Sequence, residues 1–274
     1  ALDKGNEIYL SVLREGFLEN NLMVSTALID MYAKCGALER AREIFDSVWI
    51  RNVVTWNAII GGYAQHGHAG EALECFKRMQ HEGFSPNAIT YVCALKACGI
   101  LGCIVRGEEI HADILRTRSI GKDTLIGNSL VDMYIKCGAL KKAKEVFSEL
   151  QARNVSSWTS LISGYAHVGE HDIVIELFKQ MIEEGVEPNF ITFTVVLNAC
   201  SHLGLLDHGQ MYYESMCTIY GIVPSLEHQT CIVDLFARAG DFQKAVAMIT
   251  KTPILDYLPM WTALLGACHK LGKI

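Results

Sequence analysis

The feature that most constrains this chain is an internal period of 102 residues. The segment Met31-Tyr32-Ala33-Lys34-Cys35-Gly36-Ala37-Leu38 returns as Met133-Tyr134-Ile135-Lys136-Cys137-Gly138-Ala139-Leu140. Trp56 returns as Trp158, Pro86 as Pro188 and Ala97-Cys98 as Ala199-Cys200, while Gly5, Gly107 and Gly209 form a triple at the same step. Self-similarity at a fixed spacing is the mark of a repeat architecture, in which each copy is one supersecondary unit.

The period divides into three repeats. One set runs 22–52, 53–87 and 88–123, and the next runs 124–154, 155–189 and 190–225. A further repeat of the first kind covers 226–257; residues 1–21 read as the back half of an earlier repeat and 258–274 as the front half of one more. The fifteenth residue is glycine every time: Gly36, Gly67, Gly102, Gly138, Gly169, Gly204 and Gly240, with Gly272 in the last partial copy. An apolar helical pattern precedes it (Trp56, Ile59, Ile60, Tyr63) and another follows (Ala72, Leu73, Phe76, Met79). A glycine between two such patterns predicts a helix C-terminus at positive φ, a conformation that only glycine adopts without steric cost. The twentieth residue is small at Ala41, Ala72, Gly107, Ala143, Gly209 and Ala245, with Val174 the exception, which predicts a close helix–helix approach there.

Each repeat is therefore expected to be helix, tight turn, helix, short loop. A single hairpin cannot bury its apolar face, but stacked neighbours can. The expected fold is all-α: a right-handed superhelical solenoid of helix-turn-helix repeats with a concave groove. Composition agrees, since half the residues are hydrophobic and there are five prolines in 274 residues.

Other features exclude function classes. No apolar run approaches the length of a transmembrane helix, so no membrane partner is expected. The ten cysteines never fall in Cys-x-x-Cys spacing and read as small buried hydrophobes in a reducing compartment. The His-x-Glu and Pro-Cys-x-x-Cys of a zinc deaminase are missing, as are a glycine-rich phosphate loop and a nucleophile elbow. Neither His66/His68 nor Cys268/His269 has a ligand set around it. The expectation is no catalysis, no metal and no cofactor. A net charge of −6 and a pI of about 5.9 argue against holding nucleic acid by bulk charge.

At three places the sequence resembles the pentatricopeptide repeat family: the junction Asn52-Val53-Val54-Thr55-Trp56-Asn57, the Met31–Leu38 segment, and the repeat ends Glu82-Gly83-Phe84-Ser85-Pro86-Asn87 and Glu184-Gly185-Val186-Glu187-Pro188-Asn189. The alternation of 31, 35 and 36 residues resembles the plant PLS subclass, with S, P and L repeats in turn. Residues 226–257 then look like a final S repeat. Trp261-Thr262-Ala263-Leu264-Leu265-Gly266-Ala267-Cys268 looks like the start of the extension motif of organellar C-to-U editing specificity factors.

What the resemblance implies is one RNA base per repeat, read by the repeat's fifth and last residues. Thr26 with Asn52 and Thr159 with Asn189 then suit adenine; Asn57 with Asn87 and Asn128 with Asn154 suit a pyrimidine, cytosine preferred. Val92 with Asp123 and Thr194 with Ser225 fall in L repeats without a clear assignment, and Thr230 with Tyr257 departs from the usual polar last residue. The implied target is 5′-A-Y-n-Y-A-n-n-3′, with Y a pyrimidine. Met23, Val54, Ile89, Leu125 and Ile191, each second in its repeat, would flank the bases; Ser156 and Glu227 depart from that pattern. Lys34, Lys136 and Arg238 would meet phosphates, with a salt slope of about −2. Asn52, Asn87, Asn154 and Asn189 also read as helix N-caps, a role compatible with base contact.

The partners implied are single-stranded RNA and, for editing, helper proteins or a deaminase acting in trans, in a chloroplast or mitochondrion. The competing reading is a protein-binding helical-repeat scaffold, which the negative charge suits.

Overall fold

The computed structural model describes residues 2–14, 21–117, 124–251 and 258–270. Sixteen α-helices and no strand occur among the described residues. They are α1 (Leu2–Arg14), α2 (Leu22–Lys34), α3 (Leu38–Ser47), α4 (Val53–Gln65), α5 (Ala69–His81), α6 (Ala88–Leu101), α7 (Ile104–Arg116), α8 (Thr124–Lys136), α9 (Leu140–Glu149), α10 (Val155–His167), α11 (His171–Glu183), α12 (Phe190–Leu203), α13 (Leu206–Thr218), α14 (Leu226–Arg238), α15 (Phe242–Lys251) and α16 (Leu258–Lys270). The chain forms two compact bodies, 1–152 and 153–274.

Within each body the helices stack as antiparallel pairs, the architecture of an all-α repeat solenoid. In the first body α2 packs on α4, α4 on α6 and α6 on α8; in the second α10 packs on α12, α12 on α14 and α14 on α16. The first helices of successive repeats thus form one wall in each body. The seam is apolar: Trp56, Ile59, Ile60 and Tyr32 in one body and Trp158, Ile162, Phe178 and Phe193 in the other are almost fully buried. Phe45 meets Trp56 edge-on, with ring centroids 4.6 Å apart.

The mid-repeat glycines close the first helix as expected. All seven from Gly36 to Gly240 have φ between 62° and 83°. In every one of these turns the N–H of residue sixteen donates to the C=O of residue eleven, as in Ala37 to Tyr32 (2.9 Å) and Asp241 to Phe236 (2.9 Å). Gly272 lies outside the described residues.

The small twentieth position faces the first helix of the following repeat. A Cβ on Gly107 would stand 2.4 Å from Met133 Sδ, one on Gly209 2.3 Å from Leu235 Cδ2, and one on Gly5 2.8 Å from Met31 Cε. The glycine recurs at the 102-residue step, and the long apolar side chain it accommodates is methionine twice and leucine once.

The cysteines follow their expected role only in part. Cys75, Cys98 and Cys200 are buried, but Cys35 and Cys217 are exposed. Burial pushes the thiols of Cys98 and Cys200 up to about 12, so they stay protonated and inert.

Candidate nucleic-acid interface

Four first helices start in the same way. An asparagine precedes α4, α6, α10 and α12, and its side-chain oxygen accepts the backbone N–H of the residue three places on. Asn52 takes Thr55 N–H (2.9 Å), Asn87 takes Thr90 N–H (3.0 Å), Asn154 takes Ser157 N–H (3.0 Å) and Asn189 takes Thr192 N–H (2.9 Å). The capping role is therefore real at all four. Asn21 does the same for α2, accepting from Met23 and Val24.

Capping consumes the amide oxygen and leaves the amide nitrogen for other work. At Asn52 and Asn189 both amide hydrogens remain unspent among the described residues. The fifth residue of the same repeat sits beside this amide through a shared neighbour. Thr26 Oγ1 donates to Leu22 O (2.7 Å) and lies 3.0 Å from Thr55 Oγ1, which itself reaches Asn52 Oδ1 at 3.0 Å. Thr159, Thr192 and Asn189 repeat this chain at 2.8 and 2.9 Å.

Asn57 and Asn87 meet directly: Asn57 Nδ2 donates to Asn87 Oδ1 at 3.0 Å, and Thr90 Oγ1 donates to Asn57 Oδ1 at 2.6 Å. Thr194 and Ser225 are joined through His228. The Ser225 N–H donates to His228 Nδ1 at 3.1 Å, so the ring proton sits on Nε2, 2.9 Å from Phe190 O and 3.1 Å from Thr194 Oγ1. Four fifth–last pairs expected from the sequence are thus brought together.

The remaining expected positions divide. Val92 is half-buried. Its expected partner Asp123 lies outside the described residues, as does Tyr257, the partner of Thr230. Asn128 is half-buried in the first body, and Asn154 is exposed at the start of the second.

The second residues do not pack between repeats: Met23 is 83% exposed, Val54 59%, Ile89 59%, Leu125 65% and Ile191 49%. Burial would have made them core; such exposure makes them available apolar surface. In the first body Met23, Val54 and Ile89 line, with Thr26, Asn52, Asn57 and Asn87, an open groove of about 620 Å³. Asp30 also lines it.

The expected phosphate residues carry a partner that the sequence reading passed over. Lys34 pairs with Asp30, Lys136 with Asp132 and Arg238 with Asp234, each at 2.7 Å and one helical turn apart. The acids recur at the same 102-residue step, and the i,i+4 spacing could have shown the pairing. Asp234 also accepts from the buried Ser201 hydroxyl at 2.5 Å.

Sequence reasoning also missed the third residue of five repeats: Thr55, Thr90, Ser157, Thr192 and His228. All five are polar and almost fully buried. The signal was available, because a threonine, serine or histidine stands three places after Asn52, Asn87, Asn154, Asn189 and Ser225.

Comparison with known proteins now decides the family. The PPR repeat family matches residues 51–99 and 153–202, and the PPR repeat matches 24–53, 128–155 and 191–219, together more than half of the chain. The chain belongs to the pentatricopeptide repeat family. A pentatricopeptide repeat-containing protein of Arabidopsis thaliana is 38% identical over 272 residues, covering 99% of this chain and 37% of its own length. A mitochondrial one from the same plant is 40% identical over 262 residues, covering 96% of this chain and 41% of itself. This chain therefore spans about two fifths of such relatives.

Among solved structures, the maize pentatricopeptide repeat protein PPR10 in complex with an 18-nucleotide psaJ RNA element has a TM-score of 0.80. It is 18% identical, and the match covers 98% of this chain and 40% of that one. The Arabidopsis protein-only RNase P 2 matches over 67% of this chain and 42% of its own, with a TM-score of 0.55 and 13% identity. At these identities the likeness establishes the pentatricopeptide repeat fold.

Proposed function

We propose that this pentatricopeptide repeat chain binds single-stranded RNA, one base per repeat. The observation that carries the reading is the first-body groove, in which two fifth–last pairs stand between exposed second residues. Apolar side chains flank a stacked base, and an amide and a hydroxyl between them meet its edge. Where Thr26 spends its hydrogen on Leu22 O, its oxygen is left to accept and Asn52 Nδ2 to donate. That pattern complements adenine, which offers an amino donor beside a ring acceptor. Asn57 and Asn87 turn their oxygens inward and leave amide hydrogens, which suit the adjacent acceptors of cytosine. The target on this reading is 5′-A-Y-n-Y-A-n-n-3′.

The reading extends to biology through the relatives. Repeat lengths of 31, 35 and 36 residues support a PLS-type arrangement, with S repeats at 22–52, 124–154 and 226–257, P repeats at 53–87 and 155–189, and L repeats at 88–123 and 190–225. Such a chain would act as a specificity factor for C-to-U editing in a chloroplast or mitochondrion, the compartments named for several relatives. The chemistry would come from a deaminase elsewhere, in trans or in a longer protein.

The ion pairs at Lys34, Lys136 and Arg238 favour a second reading, a protein-binding scaffold, because each cation is already neutralised. Fluorescence anisotropy separates the two. A labelled RNA carrying A-C-n-C-A should bind more tightly than one with the A and C positions exchanged. Equal, weak binding to both that vanishes with modest salt would reject base reading and favour the scaffold.

A further inference from the structure

We propose that the third residue of four repeats is a positioning residue for base choice by the repeat before it: Thr55 for Thr26–Asn52, Thr90 for Asn57–Asn87, Thr192 for Thr159–Asn189 and His228 for Thr194–Ser225. The inference rests on the RNA-reading function proposed above and deepens it.

An asparagine amide can turn either its oxygen or its nitrogen toward a base, and the two faces have opposite preferences. The third residue removes that freedom. Its backbone N–H and hydroxyl both lie within hydrogen-bond reach of the capping oxygen, at 2.9 and 3.0 Å for Thr55, 3.0 and 2.9 Å for Thr90, and 2.9 Å for both groups of Thr192. Flipping the amide would set its NH2 against the backbone N–H, which can only donate. The oxygen therefore stays inward and the nitrogen faces the groove.

The same hydroxyl reaches the fifth residue 29–33 positions earlier in the chain: Thr55 to Thr26 at 3.0 Å, Thr90 to Asn57 at 2.6 Å and Thr192 to Thr159 at 2.8 Å. Thr90 has one hydroxyl hydrogen and accepts Asn87 N–H at 3.1 Å. Given to Asn57 Oδ1, that hydrogen fixes the second amide as well. Thr90 thus sets the donor polarity of both reading residues, Asn87 through its backbone N–H and Asn57 through its hydroxyl hydrogen.

His228 performs this task with two ring nitrogens, one toward Ser225 and one toward Thr194, in place of a backbone N–H and a hydroxyl. The third residue touches no base itself on this account, so it acts through the pair it orients.

Thr90→Val and Thr90→Ser test the assignment. Valine keeps the shape and the backbone N–H cap but removes the hydroxyl; serine restores it. Anisotropy titrations would use RNAs differing only at the base read by Asn57–Asn87, cytosine against adenine, with a second pair differing at the base read by Thr26–Asn52. Thr90→Val should lower the cytosine preference by about tenfold while leaving preference at the Thr26–Asn52 base within twofold of the parent, and Thr90→Ser should retain both.

A Thr90→Val protein that keeps its full cytosine preference would overturn the proposal. So would one that weakens on every RNA alike and melts lower, which is a capping role and nothing more. If the unmodified chain shows no preference at either base, RNA base reading itself fails, a result distinguishable because it precedes any substitution.

Discussion

Replacing Asn87 by aspartate separates the two tasks that this residue performs. Asn87 Oδ1 accepts the Thr90 N–H at 3.0 Å and the Asn57 amide at 3.0 Å. An aspartate oxygen makes both bonds, and its charge at the N-terminus of α6 adds about 0.3–1 kcal/mol through the helix dipole. Asn87→Ala, in contrast, removes the cap and costs about 1–2 kcal/mol. It also leaves the buried Thr90 N–H without its partner.

Binding should respond the other way to the aspartate. The groove-facing NH2 becomes an acceptor, so cytosine's ring acceptor is repelled, whereas uracil's ring N–H is welcomed. A lost bond with an unmatched acceptor is worth about 1–3 kcal/mol, or about 5- to 150-fold. Thermal melting and anisotropy on RNAs with cytosine or uracil at that base would measure both. Asn87→Asp should melt no lower than the parent and move its preference from cytosine to uracil. A melting drop equal to that of Asn87→Ala would refute the cap assignment, and an unchanged preference would refute the orientation of the amide.

Four further outcomes are expected. Gly209→Val should destabilise the second body by about 1–3 kcal/mol in chemical denaturation, since its Cβ would lie 2.3 Å from Leu235 Cδ2 and 3.3 Å from Cys200 Cβ. Gly266→Ala, a helical glycine with nothing within 4 Å of an added Cβ, should instead stabilise by about 0.5–1 kcal/mol. Lys34→Gln should change stability by less than about 1 kcal/mol, because the Lys34–Asp30 pair is exposed, and should lower the salt slope of RNA binding by about 0.7 if Lys34 contacts a phosphate. Burial pushes the Asp46 carboxyl up, but hydrogen bonds from Arg78 and Arg42 outweigh it and hold the group below the usual carboxylate range. Its folded value lies under its unfolded one, so its contribution is present above about pH 4 and lost as pH falls through the folded value; Asp46→Asn should flatten that part of a urea-midpoint profile against pH.

The elements of this protein were legible in the sequence because the signals that make them are local. Gly36 and its equivalents mark helix ends because a positive φ excludes side chains with a Cβ. Asn52, Asn87, Asn154 and Asn189 mark helix starts because their oxygens cap a backbone N–H three residues on. The 102-residue period then required equivalent packing at equivalent positions, and Gly5, Gly107 and Gly209 meet Met31, Met133 and Leu235 accordingly.

What only the tertiary structure decided lies between residues about thirty apart. No local pattern states that Thr90 hydrogen-bonds Asn57, or that His228 links Thr194 to Ser225, since each contact exists only when one first helix stacks on the next. Stacking also turned Met23, Val54 and Ile89 outward, although their apolar character fits core as well as surface. Chain-local hydrogen bonds select each helix and its cap, whereas the neighbouring repeat determines which polar atoms remain free to meet a ligand.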